Sequence, residues 1–192
     1  VDYGAGNLTS VRKAFEHLGA EIEVTADPAA LARAEKVVLP GVGHFSSTEA
    51  MTRNGMRHAI QQSIEQGKPF LGICVGLQWL YQGSEEAPDV PGLGLIQGLC
   101  ATFPASVKSP HVGWNSIEVK PESRLLRGVP SGAFVYYTHS YLGPVTPETV
   151  ACTHYGVSFA GAAERGHLFG VQFHPEKSGD TGLAILKNFC EL

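Results

Sequence analysis

The chain has 192 residues, of which 43% are hydrophobic and 17% charged, and a formal charge of −4. That is the composition of one globular core, without the basic excess that nucleic-acid phosphates require or the charge-dense, apolar-poor bias of a disordered chain. No apolar stretch reaches the length of a membrane-spanning helix and no leader pattern opens the chain, so a single domain over residues 1–192 in the cytoplasm is expected.

The first half alternates short β runs with helical patterns, the signature of βαβ units around a parallel sheet. "VDY" at the start is too short for a full first strand. Leu8, Val11, Phe15 and Leu18 recur at helical spacing, with Gly19 as the stop. "AEIEV" then reads as a strand, "PAALARA" as a short helix and "KVVLP" as a buried strand. Met56, Ile60 and Ile64 mark a helix ending at Gly67, "KPFLGI" the next strand, and Val75–Gln82 the next helix. From about residue 94 the pattern changes to "GLGLIQG", "GWNSIEV", "GAFVYYTHSY", "TVACT", "VSFAGAA" and "HLFGVQF", strand-like runs that imply antiparallel pairing before a last helix over "TGLAILKNF".

Four cysteines, Cys74, Cys100, Cys152 and Cys190, are scattered without a C-x-x-C pair. Their spacing argues for reduced thiols and against a zinc centre or redox motif, and neither a metal nor another cofactor is expected. Cys100, Cys152 and Cys190 read as small buried hydrophobes. Cys74 differs, because in "KPFLGICVGLQWL" it stands where a strand must turn sharply into a helix. Such an elbow lifts a nucleophile above the sheet, and Gly72 and Gly76 relieve the crowding around it. Unpaired amides at the start of the helix favour a thiolate and can bind an oxyanion.

A thiol nucleophile needs a base, and "FGVQFHPEKS" ends a β run at His174 with Glu176 two residues later. His174 can take a proton and return it to a leaving amine, while Glu176 orients the ring. A third strand end, "LPGVGHF", places Gly41 and Gly43 around Val42, a loop whose peptides reorient cheaply where backbone donors must meet an oxyanion. All three stretches are expected on the carboxyl edge of the sheet, where open α/β sheets bind ligands.

Together, "GICVGLQ" and "FHPE" resemble the class I, triad-type glutamine amidotransferases over almost the whole chain. "DYGAGN", "PGVGHF", "HVGWN", "YYTHSY" and "HPEKS" are similar to the branch formed by the glutaminase subunits of imidazole glycerol phosphate synthases. The resemblance implies a three-layer α/β fold with a mixed, mainly parallel central sheet and a nucleophile elbow. It also implies hydrolysis of L-glutamine to glutamate and ammonia through a γ-glutamyl thioester on Cys74, with His174 as acid and base and Glu176 orienting it. Matching the motifs puts Val42, Gly43 and Val75 at the oxyanion. Gln78, Glu86, Gly43 and the backbone of Ser140 and Tyr141 are placed around the substrate, with Glu86 on its α-ammonium. The implied partner is a (β/α)8 barrel cyclase of histidine biosynthesis, forming a heterodimer that receives the ammonia, with Asn7, Trp114 and Lys177 on the docking face. Leu142 stands where many relatives carry a second aromatic. His44, His111 and His139 lie in matched motifs but read as turn or packing residues.

Two other readings remain open at this stage. A stand-alone γ-glutamyl peptidase would use the same elbow but would leave "GWN" and "YYTHSY" unexplained. A glutamine-sensing subunit without catalysis would have no use for the full set Cys74, His174 and Glu176.

Overall fold

The computed structural model describes residues 1–192. In chain order the elements are α1 (Leu8–His17), α2 (Pro28–Arg33), β1 (Val37–Gly41), a 3₁₀ turn (Phe45–Thr48), α3 (Glu49–Arg53), α4 (Met56–Glu65), β2 (Phe70–Cys74) and α5 (Val75–Gln78). There follow β3 (Gly83–Ser84), β4 (Leu99–Thr102), β5 (His111–Ser116), β6 (Glu118–Val119), β7 (Phe134–His139), β8 (Tyr141–Leu142), β9 (Thr149–Tyr155), β10 (Val157–Arg165), β11 (Leu168–Val171), a 3₁₀ turn (Pro175–Lys177) and α6 (Gly179–Cys190).

The apolar runs of β2 and β11 are buried at every residue, as strands covered on both faces must be. They form the middle of a mixed six-stranded sheet in the order β1-β2-β11-β10-β9-β6. The ladders β1–β2 and β2–β11 are parallel, whereas β11–β10, β10–β9 and β9–β6 are antiparallel. The change follows the sequence, since helical crossovers link the early strands and short turns link the late ones. Neighbouring residues of β11 point to opposite faces, so Phe169 meets Phe189 of α6 while Gly170 lies under Leu77 of α5. Phe15 of α1 also packs on Phe189, which places α1 and α6 together across the sheet from the elbow helix. One continuous core of 45 buried residues joins these layers. No helix is long and apolar enough to cross a membrane.

Register aligns the three informative strand ends. Gly41 pairs with Cys74 and Ile73 with Val171, so β1, β2 and β11 finish on one edge. The hairpin β5–β7 stands apart as a two-stranded sheet with clean alternation. His111, Val135, Tyr137 and His139 are buried, while Val112, Trp114 and Phe134 are more than half exposed on the opposite face.

Three expected elements differ. "AEIEV" is not a strand: residues 21–24 are exposed, and the rung nearest them is Asp2 N–H to the Thr25 carbonyl, 2.8 Å. "GLGLIQG" is irregular, because the amides of Gly92, Leu93, Gly94, Leu95 and Ile96 bond back to carbonyls of residues 79–82. The same bonds explain why α5 stops at Gln78 rather than Gln82, since the carbonyls that would continue the helix are already accepting elsewhere. A surface concavity lies outside β1, lined by Val11, Phe15, Ile22 and Val24 among others, and does not reach Cys74.

Candidate active site

Cys74 is the only non-glycine residue with positive φ, at φ 54° and ψ −107°. A conformation this unfavourable persists only where the surroundings impose it, and here they do. A Cβ on Gly72 would overlap the Gly76 carbonyl, and one on Gly76 would overlap the Leu39 carbonyl. The elbow therefore presses against both the end of β1 and its own strand, and only glycine fits at those two positions.

The same contact holds the neighbouring loop. A Cβ on Gly41 would lie 2.7 Å from Val75 Cβ, 2.8 Å from the Tyr3 hydroxyl and 2.9 Å from Gly76 N. Gly41 is thus wedged against the first residues of α5. Gly43, two residues on, is exposed with φ +93° and open space where a Cβ would be. The loop is wedged at Gly41 and uncrowded at Gly43. His44 accepts from Ser46 N–H and caps the following 3₁₀ turn, the turn role expected of it.

His174 and Glu176 follow β11 on the same edge. The His174 ring and the Glu176 carboxylate are almost fully buried, and Nδ1 donates to Oε1 over 2.9 Å. That bond fixes the ring and leaves Nε2 buried and turned to the Cys74 sulfur, in a contact looser than a standard hydrogen bond. Burial pulls the imidazolium down, but hydrogen bonds and charge from Cys74 and Glu176 outweigh it and raise the ring to about 9. The turn is stitched to β7: His174 N–H donates to the Tyr136 carbonyl, and the Ser178 hydroxyl donates to the His174 carbonyl while accepting from Tyr136 N–H. A thiol, a ring carrying its proton and a buried carboxylate in this order can perform nucleophilic acyl transfer.

The expected substrate residues are tied by hydrogen bonds to the elbow's neighbours. Glu86 accepts the Phe45 N–H over 2.7 Å through Oε2, tying the Gly41–Val42–Gly43 loop to the segment after the elbow, and leaves Oε1 without a protein partner. Gln78 is only 2% exposed. Its Nε2 donates to the Tyr141 carbonyl at 2.8 Å and to Gln172 Oε1 at 3.2 Å, so only its Oε1 remains for a ligand. Ser140 and Tyr141 are half-buried at the end of β7 and the start of β8. Gln172 is absent from the sequence reading and is fully buried beside Cys74, its Nε2 3.5 Å from Sγ. The signal for it is a polar residue two positions before His174 in an otherwise apolar strand, hence on the same face. Ser178 was also missed, having no distinguishing pattern.

The expected docking residues lie to one side. Trp114 is 55% exposed, packed edge-on against Tyr136 at 6.0 Å, and Lys177 Nζ sits 5.8 Å from the centre of the Tyr136 ring. Asn7 stands at the start of α1 with no side-chain cap bond, and α1 lies against the turn that carries Lys177. All four cysteines are free: Cys74 and Cys100 are buried, whereas Cys152 and Cys190 are only half-buried, less than the sequence led one to expect.

The chain is similar over its whole length to known proteins. The family profile described as "Glutamine amidotransferase class-I" matches residues 1–192. A Moorella thermoacetica protein named imidazole glycerol phosphate synthase subunit HisH is 48% identical, the match covering 100% of this chain and 93% of that one. The protein of the same name from Methanothermobacter thermautotrophicus is 46% identical, covering 100% and 96%. Among solved structures, a glutamine amidotransferase superposes with a TM-score of 0.76 at 18% identity, covering 97% of this chain and 95% of that one. The glutaminase domain of Trypanosoma brucei CTPS gives 0.66 at 16%, covering 95% and 88%, and these two likenesses speak to the fold alone. The chain belongs to the class I glutamine amidotransferase family.

Proposed function

We propose that this chain is the glutaminase subunit of an imidazole glycerol phosphate synthase, working as one domain that hydrolyses L-glutamine and passes ammonia to a (β/α)8 barrel cyclase. The observation that carries the reading is the convergence of the Cys74 elbow, the buried His174–Glu176 pair and the Gly41–Val42–Gly43 loop on one sheet edge. In this reading the proton shared by Cys74 and His174 is held on Nε2 as the sulfur attacks the amide carbon, and the amides of Val42, Gly43 and Val75 face the resulting oxyanion. His174 then gives its proton to the leaving nitrogen, ammonia departs, and water cleaves the γ-glutamyl thioester. Gln78 Oε1, Glu86 and the backbone of Ser140 and Tyr141 hold the substrate, with the free Glu86 Oε1 toward the α-ammonium.

Relatives sharing nearly half their residues over full length support the partner assignment. So does the exposed apolar face of β5–β7, whose Val112, Trp114 and Phe134 would be costly to leave in water without a partner. Asn7 and Lys177 extend that face toward the active-site turn. Because Gly41 is wedged while Gly43 has open space around it, docking can switch the Val42–Gly43 peptide between states that do and do not support the oxyanion. Free thiols and the histidine-biosynthesis names of the relatives support a cytoplasmic setting.

The test is transfer of label. With glutamine carrying ¹⁵N in its amide and excess unlabelled ammonium in solution, the complex with the cyclase is expected to place ¹⁵N in the imidazole product. Product nitrogen matching the solution pool would overturn the channelling reading.

A further inference from the structure

Four buried polar side chains outside the triad, Gln78, His111, His139 and Gln172, share one chain of hydrogen bonds that ends on the nucleophile. The direction of every bond in it is decided by main-chain groups. The Tyr141 carbonyl can only accept, and it receives His139 Nδ1–H and Gln78 Nε2–H, each over 2.8 Å. With its proton on Nδ1, His139 presents a lone pair at Nε2, so His111 Nδ1–H must be the donor across their 3.2 Å contact. His111 Nε2 then accepts from Asn115 Nδ2 at 3.4 Å. Asn115 is independently fixed in that sense, because its amide donates to the His154 carbonyl and its Oδ1 accepts from Ser116 N–H. Burial holds His111 and His139 down to about 4 and about 3, so both are neutral at physiological pH, as this pattern requires.

On the other side of Tyr141 the same logic continues. One N–H of Gln78 goes to the carbonyl, and its second goes to Gln172 Oε1. That assignment leaves Gln172 with its nitrogen facing Cys74 Sγ at 3.5 Å, a normal separation for an N–H···S bond. A carboxamide alone is free to turn either end toward sulfur, but here the Tyr141 carbonyl, through Gln78, selects the donor.

The geometry points to Gln172 as a further catalytic residue whose Nε2–H stabilises the charged Cys74 sulfur, oriented by Gln78 and the Tyr141 carbonyl. This rests on the functional reading above and deepens it. The sulfur is anionic after its proton passes to His174 and before the S–C bond forms, and again when water cleaves the thioester. A donor strengthens its bond to the anion in both states. His111, His139 and Asn115 are positioning residues that hold the Tyr141 carbonyl. The relay also runs back to β5, whose outer face carries Trp114, so movement of that hairpin can reach the thiol without passing through the Gly41–Gly43 loop.

The experiment measures iodoacetamide alkylation of Cys74 in the full chain at neutral pH, read by mass spectrometry of the Cys74 peptide and corrected for the folded fraction. Gln172→Met keeps size and removes the donor. About a tenfold slower alkylation is expected, the usual worth of a hydrogen bond to a charged group. A folded Gln172→Met that alkylates at the parental rate overturns the inference, since a space-filling role would lower stability without slowing the thiol. Should that variant not fold, NMR of the parent decides. The Gln172 side-chain amide resonance is expected to move when Cys74 is alkylated, and an unmoved resonance overturns the assignment. Parental glutamate release, measured alongside with the cyclase, reports on the functional reading separately.

Discussion

Gly76 packs so closely on the carbonyl of Leu39 that no side chain can be placed between α5 and β1. This contact sets the height of the Cys74 elbow against the loop that begins at Gly41. Overpacking a core position costs about 1–3 kcal/mol or more, and here the obstacle is backbone that cannot rotate away. Gly76→Ala is therefore expected to lower the unfolding free energy read from urea titration by at least that amount or to abolish folding. Gly132→Ala, at an exposed turn with φ +90° and no neighbour within 4 Å, is expected to cost only about 1 kcal/mol.

The His174–Glu176 pair gives an alkaline limit. His174 is raised from 6.5 to about 9, so the imidazolium is present through neutrality and its proton is lost as pH passes about 9. Glutamate release is expected to fall on that limb, and Glu176→Gln, which removes one of the groups holding the proton, is expected to move the limb to lower pH. Stability follows the same sign. The folded value lies above the unfolded one, so the contribution is complete below about 6.5 and is lost on rising to about 9. Urea titrations of the parent, relative to Glu176→Gln, are expected to show a growing loss across that window.

His111 and His139 act in the opposite direction. Both are lowered from 6.5, chiefly by burial, so the folded state favours the neutral rings. Their contribution is present above about 6.5 and is lost as pH falls toward about 4 and about 3. Acid unfolding is expected to begin below 6.5 and to weaken in His111→Phe, which keeps the stack on Tyr155 at 4.1 Å without the titrating group.

Trp114 tests the docking face. Because it is more than half exposed in the free chain, Trp114→Ala is expected to change the unfolding midpoint little while weakening cyclase binding by about 30-fold or more, the scale of an interface anchor. Calorimetric titration of the cyclase reads the second quantity directly.

Much of the site was legible because its parts sit where regular structure ends. Cys74, His174 and Gly41 each close an apolar run, and parallel pairing necessarily brings such ends to one edge. The late β runs were equally plain from their alternation. The expected strand at "AEIEV" failed because its apolar residues Ile22 and Val24 have no paired strand over them, something periodicity cannot reveal. The overextended α5 has a similar cause, as the carbonyls that end it are taken by a loop more than ten residues later. Gln172 and Ser178 are harder to read for a different reason: Gln172 leaves only the signal of one polar residue two positions before His174, and Ser178, bonded to the His174 carbonyl and to Tyr136 N–H, leaves no spacing pattern. Pleat alternation turns Trp114 away from buried His111 and Tyr137 and leaves it exposed, a placement that its strand run alone does not give.

The most direct measurement is glutamate release from glutamine by this chain alone and with a histidine-pathway barrel cyclase and its ligand, with Cys74→Ala as the control. A partner-gated glutaminase predicts a large rise on adding the cyclase and none in the variant. Full release by the chain alone, unchanged by the cyclase, would contradict it and leave Asn7, Trp114 and Lys177 without a docking role.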